Sequence, residues 1–438
     1  MSVLRLVFCC VLLAPTLFAL PVTEGPWVGG VTSYEAVIVA KLSTPRFCNI
    51  DVSLDRDFAR STTFAEVRTD PGTPAEMARF RVSGLKPNSV YYYRLRAGRD
   101  LDVHNDGSFR TLPVAGELAS FRFAFGSCAR SDSEGGAFLE IKYQEPAFFL
   151  HTGDLHYDNI GENDPGAFRN AYARVLASKT QGALYRHIPL VYMWDDHDFG
   201  ANNASRLSAS RPAAQMVYRE YVPHYPLPAD EALAAQPVED RPVSQAFSVG
   251  RARFIVLDCR SQRDPADTVD GPDKTMLGPW QKEWLKKELL AAQATHPLIF
   301  IVSSVSWISD DKNSGDNWGR YAHERAELAD WMVGQGIRGV CFLGGDAHML
   351  AADDGTHNTY AANGGPGFPA LQAAPLDNTG SIKGGPWSVT PQTPADNEGQ
   401  FGIVTVTDQG DRIDVLFQGM TDSGREKMRF AFSVPGSP

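Results

Sequence analysis

The chain has 438 residues, 43% of them hydrophobic and 11% aromatic, which is enough to bury a sizeable core and to form two domains rather than one. Its 41 Lys and Arg stand against 52 Asp and Glu, and the formal charge of −11 disfavours general binding of nucleic acid or anionic lipid. Six cysteines are too few for a disulfide-built scaffold.

Residues 1–19 set Arg5 ahead of an apolar run that is too short to span a bilayer and ends in small residues near Ala19. They read as a signal peptide and predict a secreted protein, extracellular or periplasmic. From residue 20 to 113 the chain alternates short strands (YEAVIVAKLS, FCNIDVSLD, TTFAEVRTD, MARFRVSGL, SVYYYRLRAG) with Pro, Gly and Asp clusters, the pattern of a β-sandwich. The segment GLKPNSVYYYRL resembles the tyrosine corner of fibronectin III-like domains, with Leu85, Pro87 and Tyr91 in the expected places. No chemistry-bearing cluster occurs there, so its expected role is structural.

Over residues 114–438 the pattern changes to apolar strands (FRFAFGS, PAFFLHTGD, IPLVYMWDD, RFIVLDC, PLIFIVSS, GVCFLGG) alternating with helices such as PGAFRNAYARVLAS and GPWQKEWLKKELLAA. This predicts an α/β domain. Four strands end in groups that a core strand has no use for: FGSC with Cys128, GDLHY with Asp154, His156 and Tyr157, WDDHD with Asp195 to Asp198, and GGDAH with Asp346 and His348. Open α/β sheets place their ligands beyond the carboxyl ends of the strands. Carboxylates gathered there repel one another, and a cation is their natural partner.

Those motifs, in that order, resemble the calcineurin-like metallophosphatases and, within them, the alkaline phosphatase D (PhoD-like) family. GDLHY stands where the superfamily has GD, WDDHD where it has GNH[ED], and GGDAH where it has GHxH; LDCR followed by TMLGPWQKEWL is also typical of the branch. The resemblance implies a four-layer α/β metallophosphatase domain behind the sandwich, and a metal-dependent phosphomonoesterase with phosphodiesterase activity. The alternative is a phospholipase D-like phosphodiesterase acting on phospholipid head groups, the one case in which a membrane would be a partner. It also implies that Asp154 bridges two metals, with Cys128, Tyr157 and His348 completing one site and Asp196 and Asp346 the other. A thiolate and phenolate favour Fe(III), and the oxygen-rich second site favours Ca²⁺ over Zn²⁺, Mn²⁺ or Mg²⁺. His197 is the expected general acid or phosphate ligand, oriented by Asp195 or Asp198. Asn202 or Asn203 is an expected further contact. Arg260 either forks onto a phosphate oxygen or pairs with Asp258. His151 and His156 are expected to pack rather than to bind.

Overall fold

The structure, a computed structural model, describes residues 22–43, 47–68, 76–97, 100–102, 105–309, 316–382, 385–391 and 398–437. The expected leader lies outside them. The N-terminal part supplies β1 (Val22–Gly29), β2 (Glu35–Leu42), β3 (Phe47–Ser53), β4 (Thr62–Arg68), β5 (Met77–Ser83), β6 (Val90–Ala97), β7 (Asp100–Leu101) and β8 (Gly107–Arg110). The rest supplies β9 (Phe121–Gly126), β10 (Phe149–His151), β11 (Leu190–Tyr192), β12 (Gln245–Val249), β13 (Ala252–Val256), β14 (Leu298–Ser303), β15 (Val340–Gly344), β16 (Leu350–Asp353), β17 (Ala370–Ala373), β18 (Gln400–Asp408), β19 (Arg412–Thr421) and β20 (Glu426–Pro435).

Two sheets face each other in the part after residue 113. One has nine strands in the order β20-β19-β18-β9-β10-β11-β1-β2-β5, the other six in the order β12-β13-β14-β15-β17-β16. Phenylalanines fill the space between them: Phe123 of β9 stacks on Phe148 at 5.1 Å and meets Phe254 of β13 edge-on at 5.2 Å, and Phe254 stacks on Phe300 of β14 at 4.8 Å. The run LIFIVS of β14 is buried at every position because its two faces serve two cores. Leu298, Phe300 and Val302 point to the space between the sheets, while Ile299 and Ile301 pack with Leu285, Leu289, Leu328 and Met332 of the helices outside. Those helices are the predicted Gly278–Gln293 and, further on, Ala322–Gly334.

The N-terminal strands depart from the two-body expectation. β3, β4, β6, β7 and β8 do make a sheet of their own, but β1, β2 and β5 continue the nine-stranded sheet, with Gly29 of β1 parallel to Leu190 of β11. Trp27 of β1 is fully buried, 6.2 Å from the rings of both Tyr172 and Tyr185 of the part after residue 113. Arg79 of β5 donates to the carbonyls of Arg219 (2.8 Å) and Val222 (2.9 Å), capping the helix Arg211–Tyr221 at its negative end. The N-terminal strands are therefore not a body apart: β1, β2 and β5 run on into the central sheet, while β3, β4, β6, β7 and β8 stay separate from it. The corner at Tyr91 does form, its hydroxyl accepting from the Lys86 N–H at 2.8 Å.

Candidate metal centre

Cys128, Asp154, the Asp195–Asp198 stretch and the pair Asp346 and His348 follow β9, β10, β11 and β15 respectively. The first three strands are neighbours in one sheet and β15 belongs to the sheet facing them. The turns that leave the strands are unusual: Cys128, Asp154, Asp346 and His348 have φ of 67°, 55°, 62° and 52°. Left-handed backbone at a non-glycine residue costs about 1–3 kcal/mol and is retained where the surroundings over-determine it. Glycine next to these residues lets the turns touch. A Cβ on Gly345 would lie 2.7–2.8 Å from Thr152 Oγ1, Ser127 Oγ and the Ser304 carbonyl, and one on Gly153 would lie 2.4 Å from the Asp195 Cβ.

Asp154 sits at the centre. Its Oδ2 is 2.8 Å from Tyr157 Oη and 3.5 Å from Cys128 Sγ, and Tyr157 Oη is 3.0 Å from His348 Nε2. His348 Nδ1 lies 2.6 Å from the Thr379 carbonyl and donates to it, which turns the Nε2 lone pair toward Asp154 and Cys128. One ligand atom each from Cys128, Asp154 and His348 fall within 4.8 Å of one another. On the other side of Asp154 the same holds for Asp154, Asp195, Asp196 and Asp346, and for Asp154, Asp196 and a ring nitrogen of His197.

The electrostatics call for a cation. Burial, then Asp196, Asp195, Asp198 and Asp346, push the Asp154 carboxyl well above its usual range. Burial, then Asp154 and Asp346, do the same to the Cys128 thiol. Burial, then Cys128 and Asp154, raise the Tyr157 phenol. Two buried oxygens, Asp195 Oδ2 and Asp196 Oδ1, lack any hydrogen-bond donor. The raised Asp154, Cys128 and Tyr157 groups become anions there only when positive charge enters among them. The donor set of one thiol, one phenol, one imidazole and four carboxylates fits two metal ions that share Asp154.

Neither carboxylate expected to orient His197 does so. Asp195 Oδ1 accepts from Arg260 Nε and Ser304 Oγ, each at 2.6 Å, and Asp198 accepts from the Asp195 N–H (2.6 Å), the Leu155 N–H (2.8 Å) and Tyr192 Oη (2.5 Å). His197 Nδ1 instead lies 2.7 Å from Asn159 Oδ1. The Asn159 amide is oriented by its own Nδ2, which donates to the Tyr157 carbonyl at 3.0 Å, so Oδ1 is the atom that meets the ring and Nδ1 carries the proton. The imidazole also stacks on Tyr157 at 4.0 Å. Asn159 has φ 53°, a conformation asparagine tolerates, and no pattern in the sequence marks it.

Arg260 does not take the substrate-facing place expected of it. Its guanidinium is fully buried and bound to Asp195 and Asp316, at 2.6 Å from an oxygen of the latter, so it braces the acidic wall and offers no fork to a substrate. Asp258 accepts only its backbone N–H, at 3.0 Å. Asn202 and Asn203 are exposed, and the backbone N–H of Asn203 donates to Asp196 Oδ2 at 2.5 Å. His151 and His156 are buried, their rings edge-on to Tyr192 (5.8 Å) and Tyr172 (6.0 Å), as expected of packing groups.

A family model described as PhoD-like phosphatase matches residues 123–385, well over half of the chain and all four strand ends. The chain belongs to the PhoD-like phosphatase family. Among curated proteins, alkaline phosphatase D of Bacillus subtilis (strain 168) is 26% identical over 324 residues, which are 64% of this chain and 54% of that protein. The match thus spans about half the length of that relative. Among solved structures, one titled as the structure of PhoD aligns over 97% of this chain and 92% of its own with a TM-score of 0.76 at 20% identity. A purple acid phosphatase from yellow lupin (Lupinus luteus) seeds aligns over 94% of this chain and 74% of its own, with a TM-score of 0.59 at 14% identity. At these identities the structural likeness speaks for the fold. This PhoD-like chain therefore shares a metallophosphatase architecture, and the residues of its own site carry the chemical argument.

Proposed function

We propose that the protein is an exported, metal-dependent phosphoric ester hydrolase, acting on phosphomonoesters in the manner of an alkaline phosphatase and also on phosphodiesters. The observation that supports this most directly is the sharing of Asp154 between a Cys128–His348 group and a group of carboxylates. In this reading Cys128, Tyr157, His348 and Asp154 hold Fe(III), and Asp154, Asp196 and Asp346 hold Ca²⁺, with the bare Asp195 Oδ2 as a further oxygen. When bound, the two ions supply Lewis acidity to the phosphate oxygens and to water.

The chain's own residues do the rest. Asn159 holds the His197 Nδ1 proton, so that Nε2 is the ring atom that delivers a proton to the leaving oxygen or hydrogen-bonds the phosphate. Stacking on Tyr157 fixes the plane of that ring beside the Asp154 carboxylate. Arg260 and Ser304 hold Asp195 in place, and Asn203 holds Asp196 through its N–H. Export through residues 1–19 belongs to the same proposal. No helix among the described residues is long and apolar enough to cross a membrane.

Turnover of a nitrophenyl monoester and the matching diester, with metal analysis of the same preparation, tests the proposal. Iron together with an oxygen-seeking divalent ion and hydrolysis of the monoester is the expected result. Two zinc ions without iron would overturn the ligand division, and no hydrolysis of either ester by metal-replete protein would overturn the activity.

A further inference from the structure

A cavity of about 680 Å³ shares no residue with the metal centre. It opens between the N-terminal sheet, at Tyr92 of β6 and Ser108 of β8, and the ends of the helices Gly136–Tyr143 and Gln181–His187. Arg56, Arg110, Lys142 and His187 line it. Among the described residues no ion pair forms at Arg56, Arg110 or Lys142, and the Arg110 guanidinium meets only Asn88, at 3.4 Å and 3.5 Å. These groups also repel one another. Burial, then Arg186, lowers Lys142; burial, then Lys142, Arg186 and Arg56, pushes His187 down to about 4. Asp57, Asp106 and Glu145 lie on the walls, but none reaches the three cations at ion-pair distance, and burial raises Asp106 toward its neutral form.

In a chain with a net charge of −11, cations have carboxylates available to them, so three left unpaired around one hollow point to a partner from outside. We propose that this cavity is a second anion site, which takes a phosphate-class oxyanion on Arg56, Arg110 and Lys142, the three cations of its lining. Guanidinium forks and an ammonium together match a tetrahedral dianion, which a single carboxylate would only half satisfy. The volume exceeds what one phosphate fills and lies within the range of sites for small organic ligands, and Phe58 and Tyr92 offer an apolar wall for the body of such a ligand.

Lysine methyl resonances report on the site directly. The full-length, metal-replete protein is reductively methylated with ¹³C, and the Lys142 signal is identified by its absence in Lys142→Arg. Inorganic phosphate and phenylphosphonate, whose carbon–phosphorus bond is not an ester, are then titrated separately at constant ionic strength. A saturable shift of the Lys142 signal is expected, weakened at least tenfold in Arg56→Gln and retained in Asp154→Asn, which separates it from binding at the metal centre. Tighter binding of phenylphosphonate would assign the site to an organic phosphate, and equal binding to the free ion. The absence of a saturable shift, an equal shift with chloride, or unchanged affinity in Arg56→Gln would overturn the proposal.

Discussion

Asp154 touches Tyr157 through the same oxygen that faces Cys128, and its other oxygen accepts from the His197 N–H at 3.4 Å. One side chain thus joins both metal groups, and Asp154→Asn is expected to lose both ions in metal analysis together with turnover. Asp164→Asn, which keeps the cap of the helix Pro165–Ala177, is the suitable control. Asp158 is not, because it binds Ser131 and Arg174 while Ser131 Oγ accepts from the Tyr157 N–H at 3.0 Å. At His197, Ala is expected to keep metal and lose roughly 10²–10⁴-fold in kcat, less for a nitrophenolate leaving group than for an alkoxide. Asn159→Leu is expected to reproduce part of that loss. Asn159→Asp sets a carboxylate on Nδ1–H, favours the charged imidazole and moves the alkaline limb of the pH–rate profile upward. Equal losses on both leaving groups would leave His197 a phosphate-binding role only.

Among the elements, those that were legible in sequence are the strands whose runs are buried on both faces. RFIVLDC, PLIFIVSS and GVCFLGG could hardly be anything else, and the groups at their ends stood out because a core strand has no use for Asp, Cys or His. What stayed hidden has physical causes. β1 contains Gly25 and Pro26 and two register shifts against β2, so it shows no strand periodicity, although it is the strand that joins the N-terminal part to the central sheet. Arg260 read as a substrate fork because sequence cannot tell that Asp195 and Asp316 meet it from elsewhere in the chain. Asn159 is not legible in sequence, since an amide after a run of stronger ligands carries no pattern. The turns make their own prediction. Gly345→Ala forces a methyl group against the turns after β9, β10 and β14, and a loss of about 1–3 kcal/mol in urea unfolding is expected. Gly334→Ala, at a site open on all sides, should lose nothing.

For the whole molecule, the acidic cluster makes metal removal a matter of pH. The folded apo protein holds Asp154 and Asp195 well above their usual range and Asp198 at about 7, so it binds more protons than the unfolded chain and its stability falls as pH rises. Chelation is therefore expected to lower Tm most near pH 9, with the deficit shrinking toward pH 6.5 in calorimetry. Below that the buried His151 and His156, both pushed down to about 3, act in the opposite sense, because unfolding then takes up protons. A deficit independent of pH would remove the carboxylates as its source. The shared sheet has a consequence for synthesis. Gly29 pairs with Leu190, and Phe121 of β9 with Val406 of β18, so the strand made first waits through some hundred and sixty residues for its neighbour. Until then Trp27 and the open side of β1 lack cover, and an unpaired edge invites other chains. The half-made protein, rather than the finished one, is the aggregation hazard: nascent chains halted at residue 180, before β11, and at residue 240, with β9 still lacking β18, should both sediment, whereas the finished chain should stay in solution.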